Sequence, residues 1–534
     1  MANYVINSFL FLLLVYTANC SLLVHTNVGW IQGLAASDGD YSMFMGIPYA
    51  YVNASNVFGE SIPYPRFDRI FEAFTDSAIC PQGDGVFMGQ LDCLHLNIYV
   101  PQSANTNRLP VMVWIYGGGF TTGRADRVAY GPKFLVRHDV ILVTISYRVG
   151  AYGFMCLDIP EVPGNQGLKD QFRALTWIKE NIYWFGGDPD RVTLFGQSAG
   201  GRSAILHLIS NKDKIYQNII TQSGTAFDSG WLLDSNPGIP EIIANNLGLE
   251  ANNVHEALAL LSSTDPSLVI GAITELNIQF RPCIEKTFEG VDSFLTDYPV
   301  NMDIPKAKDI AVLMGVNNHE MMTSFALMAP ETFETVNPFY SRLNAYFDFE
   351  DDMLDEIQEL VKRFYIGDEN ISSTVRWNLI DYDSDIFYIH GADRTVRKLI
   401  DNDAEKVYYY IFAYSGERNF LKQALNITLG GAAHADDVSY LFDNVLFPGV
   451  PIQEDQLVLD RMTTMWTNFA KFGDPIPELT DLLPIKWQPV TKGSPHHYMD
   501  IDSSLNLWRK PFNKRMVFWD LLFAGIKVDN DNIL

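Results

Sequence analysis

The chain has 534 residues with no internal repeat or low-complexity linker, a length that fits one large elaborated domain. Hydrophobic residues make up 47% and charged residues only 19%, which excludes a disordered or fibrous protein and provides material for a large core. The formal net charge of -26 repels nucleic acid and anionic membrane surfaces, so neither is an expected partner.

The N-terminus carries a signal-peptide pattern. An apolar run from Phe9 to Val15 is followed by small and polar residues, and the run is too short to span a bilayer comfortably. We therefore expect residues 1–20 to be a cleaved signal, residues 21–534 to form a single domain, and the mature protein to be secreted and extracellular. No later stretch predicts a membrane anchor, and the last four residues are not an endoplasmic-reticulum retention signal. Three N-glycosylation sequons agree with this route, at Asn53, Asn370 and Asn426.

The first predicted element of the mature chain is an antiparallel hairpin, because Asp38-Gly39 lies between two apolar stretches. Further along, Cys80 and Cys93 flank a short glycine-rich loop, and in an oxidising compartment we expect them to form a disulfide. Cys156 and Cys283 stand in apolar surroundings. We expect these two to be buried free thiols rather than a second bridge.

From about residue 95 onward, short β-branched or aromatic runs alternate with helical patterns, which predicts an α/β fold with a mostly parallel sheet and helices on both faces. The runs are nearly all apolar, as strands covered on both sides must be. The clearest helical pattern covers residues 166–184, and the cluster Gly186 to Pro189 ends it. The predicted strands are Val111 to Tyr116, Val140 to Tyr147, Val192 to Phe195, Asn218 to Gln222, Ile310 to Gly315 and Val407 to Phe412.

The first predicted strand runs directly into three successive glycines, residues 117–119. Glycines in a row leave backbone N–H groups uncovered by side chains, which is what an oxyanion hole requires. A phosphate-binding loop or a plain flexible turn is the alternative interpretation. Neither alternative explains why the triplet comes 79 residues (198 − 119) before the motif described next.

The third predicted strand runs into Gly196-Gln197-Ser198-Ala199-Gly200 and then into a helix. A G-x-S-x-G turn between strand and helix is a nucleophile elbow, in which the glycines allow a tight turn that lifts the serine hydroxyl above the sheet. The helix directs its N-terminal N–H groups toward the charge that forms during attack. An incidental serine in a glycine-rich turn is the alternative, which the glycine triplet disfavours. We expect Ser198 to be the nucleophile and Gly118, Gly119 and Ala199 to be the oxyanion donors.

With these motifs in this order, the sequence resembles the type-B carboxylesterase and cholinesterase family over nearly the whole chain. Further landmarks of the family are Phe44 to Ala50 and Asp92 to Asn97. The resemblance implies an α/β-hydrolase fold, hydrolysis of small-molecule carboxylic esters, and no cofactor. It also implies that the catalytic acid is Glu320 and the catalytic histidine is His434, in the chain order serine, acid, histidine that this fold uses.

Each remaining site residue has an expected role. His434 would take the proton of the nucleophile and return it to the leaving alcohol, while Glu320 would hold the imidazole tautomer. Ser223 matches a family serine that supports the triad, and an ordinary hydroxyl at a strand end is an equal alternative. Met321 and Tyr116 depart from the family pattern, in which a glycine usually follows the acid and a histidine commonly precedes the glycine triplet.

Three other patterns are interpreted as structural. His319-Glu320 lacks the second histidine of a zinc-protease helix, so no metal is expected. Asp381, Asp383 and Asp385 alternate in a polar stretch, and we expect a solvated segment rather than a glycosidase carboxylate pair. His496-His497 lies in a turn-like stretch and is expected to face water.

The resemblance also bears on the substrate. Cholinesterases bind a quaternary ammonium with a tryptophan inside the loop equivalent to that between Cys80 and Cys93, and this loop has none. The acidic residue before their nucleophile is Gln197 here, and their aromatic pair after the acid corresponds to Thr323 and Ser324. We therefore expect a neutral, fairly apolar ester. The candidate pocket residues are Phe120, Gln197, Phe280 and Phe325. For the three phenylalanines, packing in the core is an equal or better explanation.

The segments around Gln197 and His434 are most similar to secreted insect esterases, including antennal and juvenile-hormone esterases. We favour a general, xenobiotic or odorant-degrading carboxylesterase, with a juvenile hormone esterase as the alternative. The alternative of another class is a non-catalytic adhesion or binding protein on the same scaffold, since function depends on sites and not on folds. The presence of Ser198, Glu320 and His434 favours catalysis.

Overall fold

The computed structural model describes residues 22–525 apart from residues 84, 106–107, 348 and 494–495. The expected signal peptide at residues 1–20 and the C-terminal tail lie outside the described residues. Within the described ranges, no helix is both long and apolar enough to cross a bilayer.

A sheet of eleven strands forms the centre of the described structure. Its middle strands, from Ile141–Ile145 across to His497–Ile501, run parallel, and antiparallel strands lie at both edges. The predicted mostly parallel sheet is confirmed, and every predicted strand is present with ends that differ by a few residues. In spatial order the strands are Leu505–Arg509, His497–Ile501, Lys406–Phe412, Ala311–Asn317, Asn218–Gln222, Gly187–Gln197, Leu109–Ile115, Ile141–Ile145, His95–Pro101, Tyr41–Pro48 and Leu34–Ala35.

The parallel strands are buried along most of their length, which explains why their sequences are continuous apolar runs rather than alternating ones. Because the strands are parallel and in register, their carboxyl ends meet at one edge of the sheet. Ligand sites in open α/β sheets form outside these carboxyl ends. The residues that follow Ile115, Gln197, Gln222, Asn317 and Phe412 are therefore brought close together.

Helices surround the sheet. The helix predicted over residues 166–184 is an α-helix from Gln166 to Asn181, followed by a 3₁₀ turn Ile182–Phe185 that ends at Gly186 in the left-handed region. The other α-helices of the described residues, with one π-helical turn at Asp385–Ile389, are Lys133–Val136, Gly150–Phe154, Ala199–Ile209, Ile239–Asn246, Val254–Ser263, Pro266–Glu275, Met322–Ala326, Pro330–Phe333, Pro338–Tyr346, Asp351–Ile366, Arg376–Ser384, His390–Asp401, Phe420–Ala424, Gln453–Phe472 and Asn513–Gly525.

The hairpin predicted at Asp38-Gly39 is confirmed, since Leu34–Ala35 pairs antiparallel with the start of Tyr41–Pro48. In the part of the chain that the structure describes, three small sheets lie outside the central one. Their strands are Leu23–Thr26, Gly29–Gln32 and Phe71–Glu72 in the first, Ala50–Tyr51 and Ile62–Pro63 in the second, and Gln82–Gly83 and Phe87–Met88 in the third.

Two disulfides are present among the described residues. Cys80 and Cys93 are joined as predicted, across a sequence separation of 13. The expectation of free thiols at Cys156 and Cys283 is wrong, because these two form a bridge across a separation of 127. An apolar sequence context surrounds a buried thiol and a buried cystine alike, and only the fold brings the two cysteines together. Gly164 lies against both sulfurs, where any side chain would collide with them.

The expectation that the alternating aspartates form a solvated segment is also wrong. Asp383 and Asp385 are fully buried, and Asp381 is 27% exposed, because helical turns place all three toward the interior. Arg342 pairs with Asp383 at 3.2 Å, and Arg515 pairs with both Asp381 and Asp385. A buried carboxylate is costly unless it is paired with a cation or hydrogen-bonded. Here the arginine–aspartate ion pairs connect helices that are distant in sequence.

The expectation that His496-His497 faces water fails as well. His497 is buried at the start of the strand His497–Ile501, which lies between two other strands of the central sheet, and His496 is partly buried with its Nδ1 3.2 Å from Asp393 Oδ1. Burial lowers the pKa of His497. The turn signal before these residues is compatible with a strand directly afterwards, which the sequence interpretation did not include.

Candidate active site

The nucleophile elbow forms between the strand Gly187–Gln197 and the helix Ala199–Ile209. Ser198 has φ 58° and ψ −124°, a backbone conformation that is strained for any residue with a side chain. Side chains at positions 196 or 200 would collide with neighbouring backbone atoms, so the two glycines are what permits the turn. The N–H of Ser198 donates to the carbonyl of Gln222 at 2.8 Å, which ties the turn to the adjacent strand end.

Glu320 and His434 lie together above the carboxyl ends of the strands. Glu320 is fully buried, and its Oε2 is 2.7 Å from His434 Nδ1. Its other oxygen, Oε1, accepts from the N–H of Asn317 at 2.6 Å, and its carbonyl accepts from the N–H of His434 at 3.0 Å. The side chain of Glu320 is thus oriented to hold the imidazole with its proton on Nδ1.

Met321, which departs from the family pattern, does not disturb this arrangement. Its φ is −96°, a region open to any residue, so no glycine is needed after Glu320. Its N–H donates to the hydroxyl of Ser384 at 3.0 Å. Tyr116 is likewise accommodated, because its ring stacks on Tyr147 and each hydroxyl donates to the other residue's carbonyl.

The other imidazole nitrogen of His434, Nε2, faces the residues of the nucleophile elbow. In the described part of the chain it is engaged by Gln197 and not by Ser198: Nε2 of His434 is 3.1 Å from Nε2 of Gln197. Because Glu320 holds the proton on Nδ1, this contact has the Gln197 amide donating to the imidazole lone pair. Tyr388 also lines this cavity, with its ring centroid 4.6 Å from that of His434. Proton transfer from Ser198 therefore requires the imidazole to exchange the amide for the hydroxyl.

The glycine triplet forms a wall of the same cavity. Gly118 and Gly119 have φ 116° and 63°, and the N–H groups of Thr121 and Thr122 fold back onto the carbonyl of Gly118. Among the described residues, the N–H groups of Gly118, Gly119 and Ala199 donate to no other protein group. The three predicted donors are therefore available to a ligand oxygen beside Ser198.

Ser223 lies directly behind the nucleophile. Its φ is 50°, its N–H donates to Gly315, and its hydroxyl is buried without a protein partner in the described structure. The neighbouring Gly224 approaches the backbone of Ser198 so closely that a side chain there would collide with it. In the described structure this hydroxyl makes no hydrogen bond to Ser198, Glu320 or His434, so a supporting role for Ser223 stays a prediction.

The loop that carries His434 is fixed by two buried aspartates. Asp436 accepts from the N–H groups of Ala433 and Leu421, which closes the loop around the histidine. Asp437 accepts from the side chain of Gln222 at 2.7 Å, and burial raises the pKa of Asp437 to about 6. The sequence frame identified the histidine, but it did not reveal what these carboxylates do.

A cavity of about 420 Å³ opens onto Ser198 and His434. Gln197 lines it as predicted. Phe120 is fully buried and packs against Trp231, while Phe280 and Phe325 lie in the core outside the lining residues. The sequence analysis did not identify Trp231, Tyr388 or Phe420 as lining residues. The lining residues are Gly117, Gly118, Gly119, Ala129, Tyr130, Gln197, Ser198, Trp231, Tyr388, Phe420, Leu421, His434, Ala435, Val438 and Asn444.

Comparison with known proteins agrees with this architecture. The model of the carboxylesterase family matches residues 21–519. Esterase FE4 of Myzus persicae is 31% identical over 479 residues, covering 84% of this chain and 83% of that protein. Juvenile hormone esterase of Tribolium castaneum is 31% identical over 521 residues, covering 88% of each.

A solved structure is also similar. Juvenile hormone esterase from Manduca sexta, determined with OTFP covalently attached, superposes with a TM-score of 0.82 and 25% identity. The match covers 94% of this chain and all of that one. The α/β-hydrolase fold implied by the sequence is thereby confirmed. This chain belongs to the carboxylesterase family and is a carboxylic ester hydrolase.

Proposed function

We propose that the protein is a serine carboxylesterase that hydrolyses neutral, fairly apolar esters through an acyl-enzyme intermediate. The observation that carries the proposal is the cavity shared by Ser198, His434 and the uncovered N–H groups of the glycine triplet, with Glu320 held 2.7 Å from the imidazole. These are the groups that acyl transfer by a serine requires: a nucleophile, an oriented base, and donors for the oxyanion.

In the proposed mechanism, the imidazole of His434 leaves the Gln197 amide and accepts the proton of Ser198 as the hydroxyl oxygen attacks the ester carbonyl. The N–H groups of Gly118, Gly119 and Ala199 stabilise the oxyanion. His434 then protonates the leaving alcohol, which leaves an acyl group on the serine. A water molecule repeats the sequence with His434 as its base and releases the acid.

The substrate class follows from the cavity lining. Apart from Gln197, Ser198, His434 and Asn444, the lining consists of glycines and of aromatic and aliphatic side chains. Such a surface favours an apolar acyl or alcohol group, and no acidic residue is available in the lining to attract a cationic one. A volume of about 420 Å³ fits a small to medium-sized ester.

The test of the mechanism is Ser198→Ala. We expect it to lower kcat for p-nitrophenyl acetate by several orders of magnitude without changing the melting temperature appreciably, because only the nucleophilic oxygen is removed. Ser262→Ala is the matched control, since this serine lies on a helix outside the cavity lining. Activity of Ser198→Ala near that of the control would contradict the mechanism.

The physiological setting is part of the proposal. We favour secretion and a role in degrading xenobiotic or odorant esters. A glycan acceptor must be at least partly accessible, and Asn370 and Asn426 are exposed while Asn53 is half-buried. A mass decrease after treatment of the secreted protein with peptide-N-glycosidase tests this route. Retention of the protein inside expressing insect cells would count against it.

Juvenile hormone esterase is the second candidate, because relatives of that name match most of the chain in sequence and in structure. Juvenile hormone is itself an apolar ester, so the same cavity chemistry applies. Comparing kcat/KM for juvenile hormone with that for short acetate esters distinguishes the two. A ratio strongly in favour of the hormone would replace the first candidate with the second.

A further inference from the structure

The loop of residues 445–452 is an apolar piece of surface on a strongly acidic chain. Its eight residues, V-L-F-P-G-V-P-I, include no charged or hydrogen-bonding side chain, and it leads into the helix Gln453–Phe472. Surface loops are ordinarily polar, because an exposed apolar side chain gains nothing from contact with water. A loop of this composition needs a reason to remain at the surface.

Four aliphatic side chains of the loop are exposed. They are Val445, Leu446, Val450 and Ile452, and Val450 is 95% exposed. A fifth exposed side chain, Val128, comes from a different segment, and its carbonyl accepts a hydrogen bond from the N–H of Val445 at 3.2 Å. We call these five side chains the apolar rim. Exposed apolar groups that collect in one place mark interaction surfaces in soluble proteins.

The apolar rim lies next to the opening of the catalytic cavity. Asn444, which directly precedes Val445, lines the cavity, and so does Ala129, which directly follows Val128. The N–H of Leu446 donates to the side-chain oxygen of Asn444 at 3.0 Å, which keeps the start of the loop close to the lining. The rim therefore continues the apolar lining of the cavity outward onto the surface.

Phe447 anchors the loop from the inside. The guanidinium of the buried Arg418 lies 4.9 Å from its ring centroid, and Arg418 Nε donates to the carbonyl of Ser439 at 3.0 Å. The N–H of Phe447 donates to the carbonyl of Asn444 at 3.1 Å. These contacts hold the middle of the loop against the protein, while the aliphatic side chains on either side of Phe447 stay exposed.

The charge of the protein and the chemistry of its substrate favour one occupant for the rim. A net charge of -26 opposes the approach of a second copy of the chain and of an anionic membrane. An uncharged apolar ester meets no such repulsion, and esters of this kind separate from water into droplets. Because the rim adjoins the cavity lining, an ester molecule at a docked droplet could enter the cavity without first dissolving in water.

We infer that the apolar rim docks the enzyme on the surface of an uncharged, water-insoluble ester phase, from which the substrate enters the catalytic cavity directly. This inference rests on the proposed function. The rim residues do not line the cavity around Ser198, so they act on the supply of substrate and not on the chemical step. Their loss is therefore expected to slow the hydrolysis of emulsified esters and to leave the hydrolysis of dissolved esters unchanged.

The kinetic experiment compares the wild type with the double variant Leu446→Ser and Val450→Ser, and with Leu479→Ser as the matched control. Leu479 is 59% exposed and follows Gly473, which lies against Ala311 at the opposite edge of the sheet from the cavity. We expect the double variant to hydrolyse emulsified tributyrin about 10- to 100-fold more slowly at a limiting droplet surface. Its kcat/KM for dissolved p-nitrophenyl acetate is expected to stay within about twofold of the wild type. The control is expected to match the wild type on both substrates.

Docking is measured without hydrolysis by flotation of the Ser198→Ala protein with triolein droplets stabilised by uncharged poly(vinyl alcohol). We expect this protein to float with the droplets, and the same protein carrying the two rim substitutions to float about tenfold less. Phosphatidylcholine vesicles without triolein are the second probe. Binding to these vesicles as strong as to the droplets would make the rim a membrane-binding surface and would overturn the inference.

Equal rates of the double variant and the wild type on emulsified tributyrin would also overturn the inference. So would a wild-type dimer in sedimentation velocity that the two rim substitutions dissociate, because the occupant would then be a second copy of the chain. If the double variant does not fold, Val128→Ser takes its place with the same outcomes. Failure of the proposed function is distinguishable: the wild type would hydrolyse neither dissolved nor emulsified esters, while flotation would still report on the rim.

Discussion

The two sides of the catalytic cavity are built in different ways. The nucleophile side is one continuous segment, a strand, a turn and a helix, in which the glycines at positions 196 and 200 impose the geometry of Ser198. The remaining wall takes Trp231, Tyr388 and Phe420 from segments separated by many residues. A local pattern therefore predicts the first side, whereas the second depends on how distant segments pack.

The triad spans this division, because its serine is set locally and its acid and base are brought together by the sheet. Glu320→Gln removes the charge that orients and stabilises the His434 imidazolium while retaining the shape of the side chain. We expect kcat to fall by about 10⁴-fold, as measured with p-nitrophenyl acetate under saturation. Asp460→Asn, a partly exposed acidic residue paired with Arg137, serves as the control. A loss below about tenfold would mean that the long-range half of the triad contributes little.

The two disulfides permit the same comparison for stability. By the loop-entropy relation, removing the long-range bridge with Cys156→Ser and Cys283→Ser costs about 5 kcal/mol, against about 3 kcal/mol for the short loop closed by Cys80 and Cys93. Urea unfolding of the two double variants measures the difference. Equal losses would indicate that strain or residual structure in the unfolded chain, and not loop length, sets the contribution.

The smallest expected effect concerns Asp437, whose environment is produced entirely by the tertiary structure. Burial raises the pKa of Asp437 to about 6, so the folded state holds this proton more tightly than the unfolded state does. The stabilisation is fully present below the unfolded pKa and is lost as pH rises through about 6. Asp437→Asn is expected to remove this dependence, so the variant should lose less stability than the wild type as the pH rises from about 4 to about 7.

The measurement for Asp437→Asn is the urea midpoint at a series of pH values. An asparagine still accepts a hydrogen bond from Gln222 through its carbonyl oxygen. Parallel pH profiles for the wild type and the variant would show that this carboxyl does not titrate as its burial indicates.

Much of the site was predictable because the relevant residues carry strong local signals. The expectation for Glu320 and His434 came from motifs of the family, and the structure places Glu320 2.7 Å from His434, which lines the same cavity as Ser198. The phenylalanines proposed for the pocket illustrate the limit. The apolar side chains of Phe280 and Phe325 suit a pocket wall, but they suit the hydrophobic core equally well, and the structure buries both in the core.

The errors have a common physical cause. Cys156 and Cys283 have apolar neighbours in sequence, and their pairing depends on segments 127 residues apart. The sequence around Asp383 and Asp385 predicted a solvated segment. In the structure both side chains are buried and pair with Arg342 and Arg515, which are distant in sequence. Whether a side chain is buried, and which residue it pairs with, depends on segments distant in sequence, so its sequence neighbours do not determine either property.

The sequence by itself determined the parallel sheet, the strained turn at Ser198 and the exposed N–H groups of the glycine triplet, because apolar runs and glycine positions act over a few residues. Only the tertiary structure decided the long-range disulfide, the buried aspartate pairs, and the wall formed by Trp231 and Tyr388. Those features arise where separate segments meet, and side-chain packing across the carboxyl edge of the sheet selects them.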